Sequence, residues 1–176
     1  MSALFTTKTR CLNALNFKNE ENLYLAIGRT TPWDDENNPP TPSVSDIQVT
    51  ELIYIKKITV KHLAILDTPY DAYGIDVSVG GYDYNYVADE DAYSLAIPKV
   101  YLSTSIFFSD IAPTNTSFRQ IGILLNPQDV YGSNLTGIEY LAASVGDQGE
   151  LLYLENREVI TRDPSQSEKF EFILIF

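Results

Sequence analysis

The stretch "KVYLSTSIFF", residues 99–108, decides the fold class. Val100, Leu102, Thr104, Ile106 and Phe108 fall on one face of an extended chain; Lys99, Tyr101, Ser103, Ser105 and Phe107 fall on the other. Side chains alternate across a strand, so five successive pairs of this kind predict a half-buried β-strand. The same period-2 pattern recurs on both sides. Leu23, Leu25 and Ile27 alternate up to Gly28, and Ile121, Ile123 and Leu125 alternate until Asn126-Pro127 interrupts them. "ELLYLE" (150–155) and "FEFILIF" (170–176) also read as strands. The second is apolar on both faces, which predicts a strand covered on both sides and a chain end tied into a sheet.

Helix signals are fewer. Thr7 is placed to cap a short helix through Phe17, with Cys11, Leu12 and Leu15 inward. Ser45 is placed to cap a second, with Asp46 in its first turn and Ile47 and Leu52 on its buried side. Beyond Lys56, "KITVKHLAIL" returns to a strand-like pattern. Gly80-Gly81 between "IDVSV" and "YDYNYV" is a two-residue hairpin signal, and Tyr131-Gly132-Ser133 and Asp147-Gln148-Gly149 separate later strands. The expected fold is therefore mainly β: an antiparallel β-sandwich with one or two short helices in the N-terminal part, residues 1–176 forming a single domain.

Bulk composition narrows the function classes. A chain of 176 residues is long enough to bury a core without disulfides or metal. Twelve basic against twenty-four acidic residues give a net charge of −12, which argues against nucleic acid and anionic membrane surfaces as partners. The single cysteine, Cys11, excludes an internal disulfide and a Cys-rich zinc site. "MSALFTTKTR" lacks the apolar core of a signal peptide, and no apolar run reaches membrane-spanning length, so synthesis in a cytoplasm is expected. Charge is uneven along the chain. Between Lys61 and Lys99 there is no basic residue but seven acids, and six of the twelve tyrosines lie there too.

No catalytic constellation stands out. The one histidine, His62, lies in phase with Ile58 and Val60 and reads as a partly buried strand residue. Nucleophile elbows, phosphate-binding loops and dinucleotide fingerprints are missing from the sequence. The acidic runs "WDDEN" (33–37) and "DEDAY" (89–93) offer oxygen ligands suited to calcium, but neither has EF-hand spacing. No catalytic residue, metal ligand or cofactor is therefore expected. Two features suit contact with another molecule. The only tryptophan, Trp33, stands in a loop with Asp34, Asp35, Glu36, Pro39, Pro40 and Pro42, either folded back on the sheet or offered to a partner. Tyr82, Tyr84 and Tyr86 share one face of a predicted strand and form a candidate exposed aromatic patch.

Three blocks carry a resemblance. The first is "IGRTTPWDDENNPP", with Gly28, Arg29, Pro32 and Trp33; the second is "FRQIGILLNP", with Phe118, Arg119 and Gln120. The third is "GELLYLENR", with Gly149, Glu150, Tyr153, Glu155, Asn156 and Arg157. In this order they resemble the small baseplate-wedge subunit of contractile-tailed bacteriophages, the gene-product-eight family of T-even phages. The likeness covers roughly residues 20–66 and 98–176. The acidic segment 67–97 stands where T-even members carry a longer insertion, so the chain looks like a shortened member. Glu158-Val159 replaces a proline pair that the pattern leads one to expect.

The resemblance implies a β-sandwich, no enzymatic activity, and a structural place in the virion tail baseplate. It implies contacts with other baseplate wedge proteins and a homodimer within the wedge. The motif residues are then interfacial or structural, with Arg29 and Arg157 expected to bond carboxylates or loop carbonyls. The alternative expectation is a sugar- or receptor-binding β-sandwich module of a tail, assisted by calcium and using the tyrosine hairpin.

Overall fold

The computed structural model describes residues 6–67, 75–94, 98–111, 117–162 and 167–176. Tyr70, Asp71 and Tyr73 of the acidic segment, and the expected contribution of the Phe108 side chain to its strand face, lie outside what is described. The described chain is mainly β and antiparallel, with one N-terminal helix, as its alternating patterns predict. It divides into two compact units, one made of residues 1–21, 59–103 and 170–176, the other of 22–58 and 104–169.

In the first unit, helix α1 (Thr7–Asn19) precedes β3 (Val60–Leu66), β4 (Val77–Val79) and β5 (Tyr82–Val87). The second unit opens with β1 (Leu23–Gly28) and β2 (Tyr54–Lys57). Strand β6 (Lys99–Phe107), which contains the opening stretch, begins in the first unit and ends in the second. After it come β7 (Ser117–Leu125), β8 (Gln128–Asp129), β9 (Glu139–Leu141), β10 (Val145–Asp147), β11 (Glu150–Thr161) and β12 (Ser167–Ile175).

The sheet of the second unit has the order β11-β7-β1-β2-β9. Strand β1 is central, and all six of its residues are buried, which explains why "LYLAIG" is apolar at nearly every position. On one face Tyr24 and Ala26 pack with Val49, Ile55, Leu124 and Leu135. Tyr24 stays satisfied there by donating its hydroxyl to the Gly137 carbonyl at 2.8 Å. Each such large side chain taken from water contributes about 2 kcal/mol. Strands β8 and β10 form a separate two-stranded ribbon.

The other sheet has the order β12-β6-β3-β5-β4. Its β4–β5 hairpin turns at Gly80-Gly81, both at positive φ (60° and 81°), as two-residue hairpins that follow strand twist require. The expected strand from Lys57 to Leu66 is split, because the chain leaves β2 after Lys57 and enters β3 at Val60.

Four expectations need correction. The helix from Ser45 does not form. Asp46 and Ser43 instead close a turn, Asp46 Oδ2 accepting the Ser43 N–H at 2.8 Å, and Ile47 is exposed. In α1 the cap is Thr6 rather than Thr7, and the buried positions are Cys11 and Ala14, while Leu12 faces out. A helix with so little contrast between its faces takes its facing from its neighbours. The tyrosines of β5 do not form an exposed ladder. Tyr84 is 6% exposed and packs with Ala64 and Tyr101, Tyr86 is half-buried against His62 at 4.2 Å, and only Tyr82 at the hairpin tip is open. On that face the rings of Tyr86, His62 and Tyr101 cover one another. Finally, β12 lies at a sheet edge; Phe170 is buried, the middle of the strand is half-buried and Ile175 is exposed.

Candidate functional site

The three sequence blocks converge on one loop of the second unit. Between β1 and β2, residues 29–53 form no regular helix or strand. A stretch this long without its own hydrogen-bond ladder needs side chains to satisfy its backbone. Neighbouring strands supply them.

The loop leaves β1 through Arg29, at φ 55°, whose N–H donates to the Thr50 carbonyl at 2.7 Å. The returning segment 49–51 therefore lies directly on Gly28. A Cβ at Gly28 would stand 2.5 Å from the Thr50 oxygen and 2.6 Å from a Val49 methyl, so a glycine is needed. Glu51 closes this neck. One carboxylate oxygen accepts from the Thr30 N–H (2.8 Å), the Thr30 hydroxyl (2.7 Å) and the Thr31 N–H (2.9 Å). The hydroxyls and amides of Thr31 and Thr30 together hold its pKa down, at about 2.

Strand β7 grips the loop on both of its faces, because Arg119 and Gln120 are consecutive. The buried Arg119 guanidinium meets the Glu36 carboxylate at 2.7 and 3.1 Å and donates to the Thr30 carbonyl at 2.6 Å. On the opposite face, Gln120 Oε1 accepts from the Thr50 N–H (2.8 Å) and hydroxyl (2.6 Å). Gln120 Nε2 donates to Asn156 Oδ1 at 2.8 Å, and Asn156 Nδ2 donates to the Pro40 carbonyl at 2.7 Å. Gln120 and Asn156 are register partners on β7 and β11, so the row follows from strand pairing. Phe118, next in line, is fully buried core.

Trp33 is folded back, at 9% exposure. Its indole N–H donates to the Arg157 carbonyl at 2.8 Å, and the Arg29 guanidinium stacks over its ring at 3.8 Å. Arg29 also donates to the carbonyl of Pro32 at 3.3 Å, the loop-carbonyl bond expected of it. Arg157 pairs with Glu155 at 3.0 Å, and Glu155 accepts from the Tyr153 hydroxyl at 2.9 Å. Burial and the Glu155 charge push the Tyr153 phenol up to about 12.

Thr30, Thr50 and Glu51 were not picked out by sequence reasoning, while Glu36 and Pro40 stood out only as members of the Trp33 loop and Gln148 only as a turn residue. Gln148 clasps Val49 on both sides, accepting its N–H at 2.8 Å and donating to its carbonyl at 2.9 Å. Their partners lie 20 to 116 residues away, so no local spacing marks them. Tyr82, Tyr84 and Tyr86 belong to the other unit and take no part in the arrangement. Among the described residues no group of three or more His, Cys, Asp or Glu side chains is placed to hold a metal ion. Chemically the arrangement fixes geometry: its carboxylates are spent on backbone amides and guanidinium groups.

Comparison with known proteins agrees with that character. A family model described as "Baseplate wedge 3 tail fiber network component" matches residues 2–176. "Virion protein 3" of Enterococcus phage phiEF24C is 34% identical over 175 residues, spanning 98% of this chain and 94% of that protein. Both matches run through residues 67–97, the acidic segment that the T-even likeness leaves out. The chain belongs to the family of baseplate wedge 3 tail fiber network components, structural proteins of the phage virion.

Proposed function

We propose that residues 1–176 act as one structural piece in the baseplate wedge of a contractile tail, in the manner of the gene-product-eight subunit of T-even phages. It builds the baseplate by contacts with other wedge proteins and a second copy of itself, without catalysis, nucleic acid or membrane. The observation that carries this reading is the convergence of the three blocks on the 29–53 loop. Arg119 and Asn156 donate to loop carbonyls and Gln120 accepts from Thr50, which makes the loop a preformed surface. A preformed surface suits a subunit that must be docked on correctly many times, because little ordering cost remains at assembly.

Deletion of the gene from the phage tests the reading. Tails that stop before a complete baseplate, seen by electron microscopy and restored by supplying the protein in trans, are the expected outcome. Normal infectious tails without the protein would overturn it.

A further inference from the structure

We propose that the groove between loop residues 39–48 and the edge strand β11 receives an extended, basic segment of a neighbouring tail protein. This rests on the structural reading above and adds where that partner lies and what its contacting surface is made of.

The groove consists of three adjoining clefts of about 460, 380 and 490 Å³. β11 forms its floor from Leu151 to Ile160, with Pro39, Pro40 and Pro42 along the other side. Ten strand residues span roughly 33 Å, and the Asn156–Pro40 hydrogen bond crosses between the clefts at their middle, so an extended peptide of that length lies over this bridge rather than beneath it. β11 ends its sheet, with β7 on one side. An edge strand presents backbone donors and acceptors to an added strand. The edge is not left flat: register shifts at Leu151/Tyr153 and Asn156/Ile160 bend it, and the Arg157 carbonyl is occupied by Trp33. A bent edge disfavours indiscriminate pairing and selects a fitted segment.

Two apolar side chains stand out along the wall. Val44 is fully exposed and Ile47 is 77% exposed, on a loop whose two ends are pinned by Arg119, Gln120, Gln148 and Glu51. Exposed apolar side chains on a rigid base are what interface anchors look like before docking.

Charge selects the partner. No Lys or Arg occurs in residues 30–55 or 120–156, and Asp46, Glu155 and Glu158 line the clefts. The one cation in the groove, Arg157, is paired with Glu155 at 3.0 Å. An acidic groove attracts a basic segment and repels an acidic one. A second copy of this chain, at net charge −12, is thereby disfavoured as the occupant.

A photo-crosslinking residue, p-benzoylphenylalanine, at Val44 tests the proposal in assembled tails, with the same residue at the equally open Tyr131 as control. After irradiation, the Val44 position is expected to yield one peptide of another tail protein, rich in Lys or Arg, that the Tyr131 position does not yield. A peptide from this chain, an acidic peptide, or no adduct in tails that contain the protein would overturn the proposal. A second variant covers exclusion of the labelled protein. Asp46→Asn, which keeps an oxygen to accept the Ser43 N–H, with Glu158→Lys should melt like the wild type yet enter tails about tenfold less well in competition with it. Equal incorporation would overturn the proposal. Absence of even the wild-type chain from tails would instead remove the structural reading on which the groove argument rests.

Discussion

At the residue scale, the molecule uses polar side chains to hold a long loop, and each has a separable effect. Arg119 is the strongest case, since its guanidinium joins a carboxylate and a carbonyl while only 7% exposed. Arg119→Ala strands both acceptors, and Glu36 remains partly open to water. A loss of about 2 kcal/mol in the urea unfolding free energy is expected, with no change in m-value. Trp33 is the chain's only tryptophan, so its emission reports the loop directly. In Arg29→Ala the indole loses its stacked cation and is expected to redden in the folded state, with stability falling by about 1 kcal/mol. An unshifted spectrum would mean that the Arg157 carbonyl alone holds the ring. Glu51 gives a pH dependence. Its folded pKa of about 2 lies below the ordinary 4.5, so its contribution is complete above about pH 4.5 and is lost as pH falls toward 2. Glu51→Gln should therefore be less stable than wild type at pH 6, with the gap closing in acid melts.

At the element scale, backbone geometry decides what the sequence reveals. The β1 and β6 strands and the Gly80-Gly81 hairpin were legible because strand period and turn chemistry act locally, whereas the burial of both faces of β1, and of Tyr101 and Ser103 in the strand expected to be half-buried, depends on distant neighbours. Ser45–Leu52 was misread because a capping serine and spaced apolar residues also fit a loop whose backbone is bonded elsewhere. Val49 and Thr50 give their N–H groups to Gln148 and Gln120, partners that helix periodicity cannot display. The tyrosines of β5 illustrate a related limit: alternation shows that they share a face but not whether that face is covered. Within the loop, the motif residues were recognisable as a set, whereas the pairing of Glu36 with Arg119 and the role of Glu51 were not, since both partners come from distant parts of the chain. Gly28 is where element and loop meet. Gly28→Ala forces its new methyl into the Thr50 carbonyl and should cost about 2 kcal/mol, read as a lowered Tm. A methyl accepted without loss would mean that the neck over β1 is looser than described.

At the scale of the whole molecule, net charge and family membership point the same way. A chain at −12 needs partners that tolerate or neutralise it, and a virion structural protein meets such partners only by assembling. The family model matches residues 2–176, so segment 67–97 lies within the family's extent. The copy number of the protein in isolated tails, counted by quantitative mass spectrometry against the tail-tube subunit, tests the central claim most directly. The account predicts a fixed count at a multiple of six that survives removal of the fibres. Absence from tails, or loss together with the fibres, would contradict it.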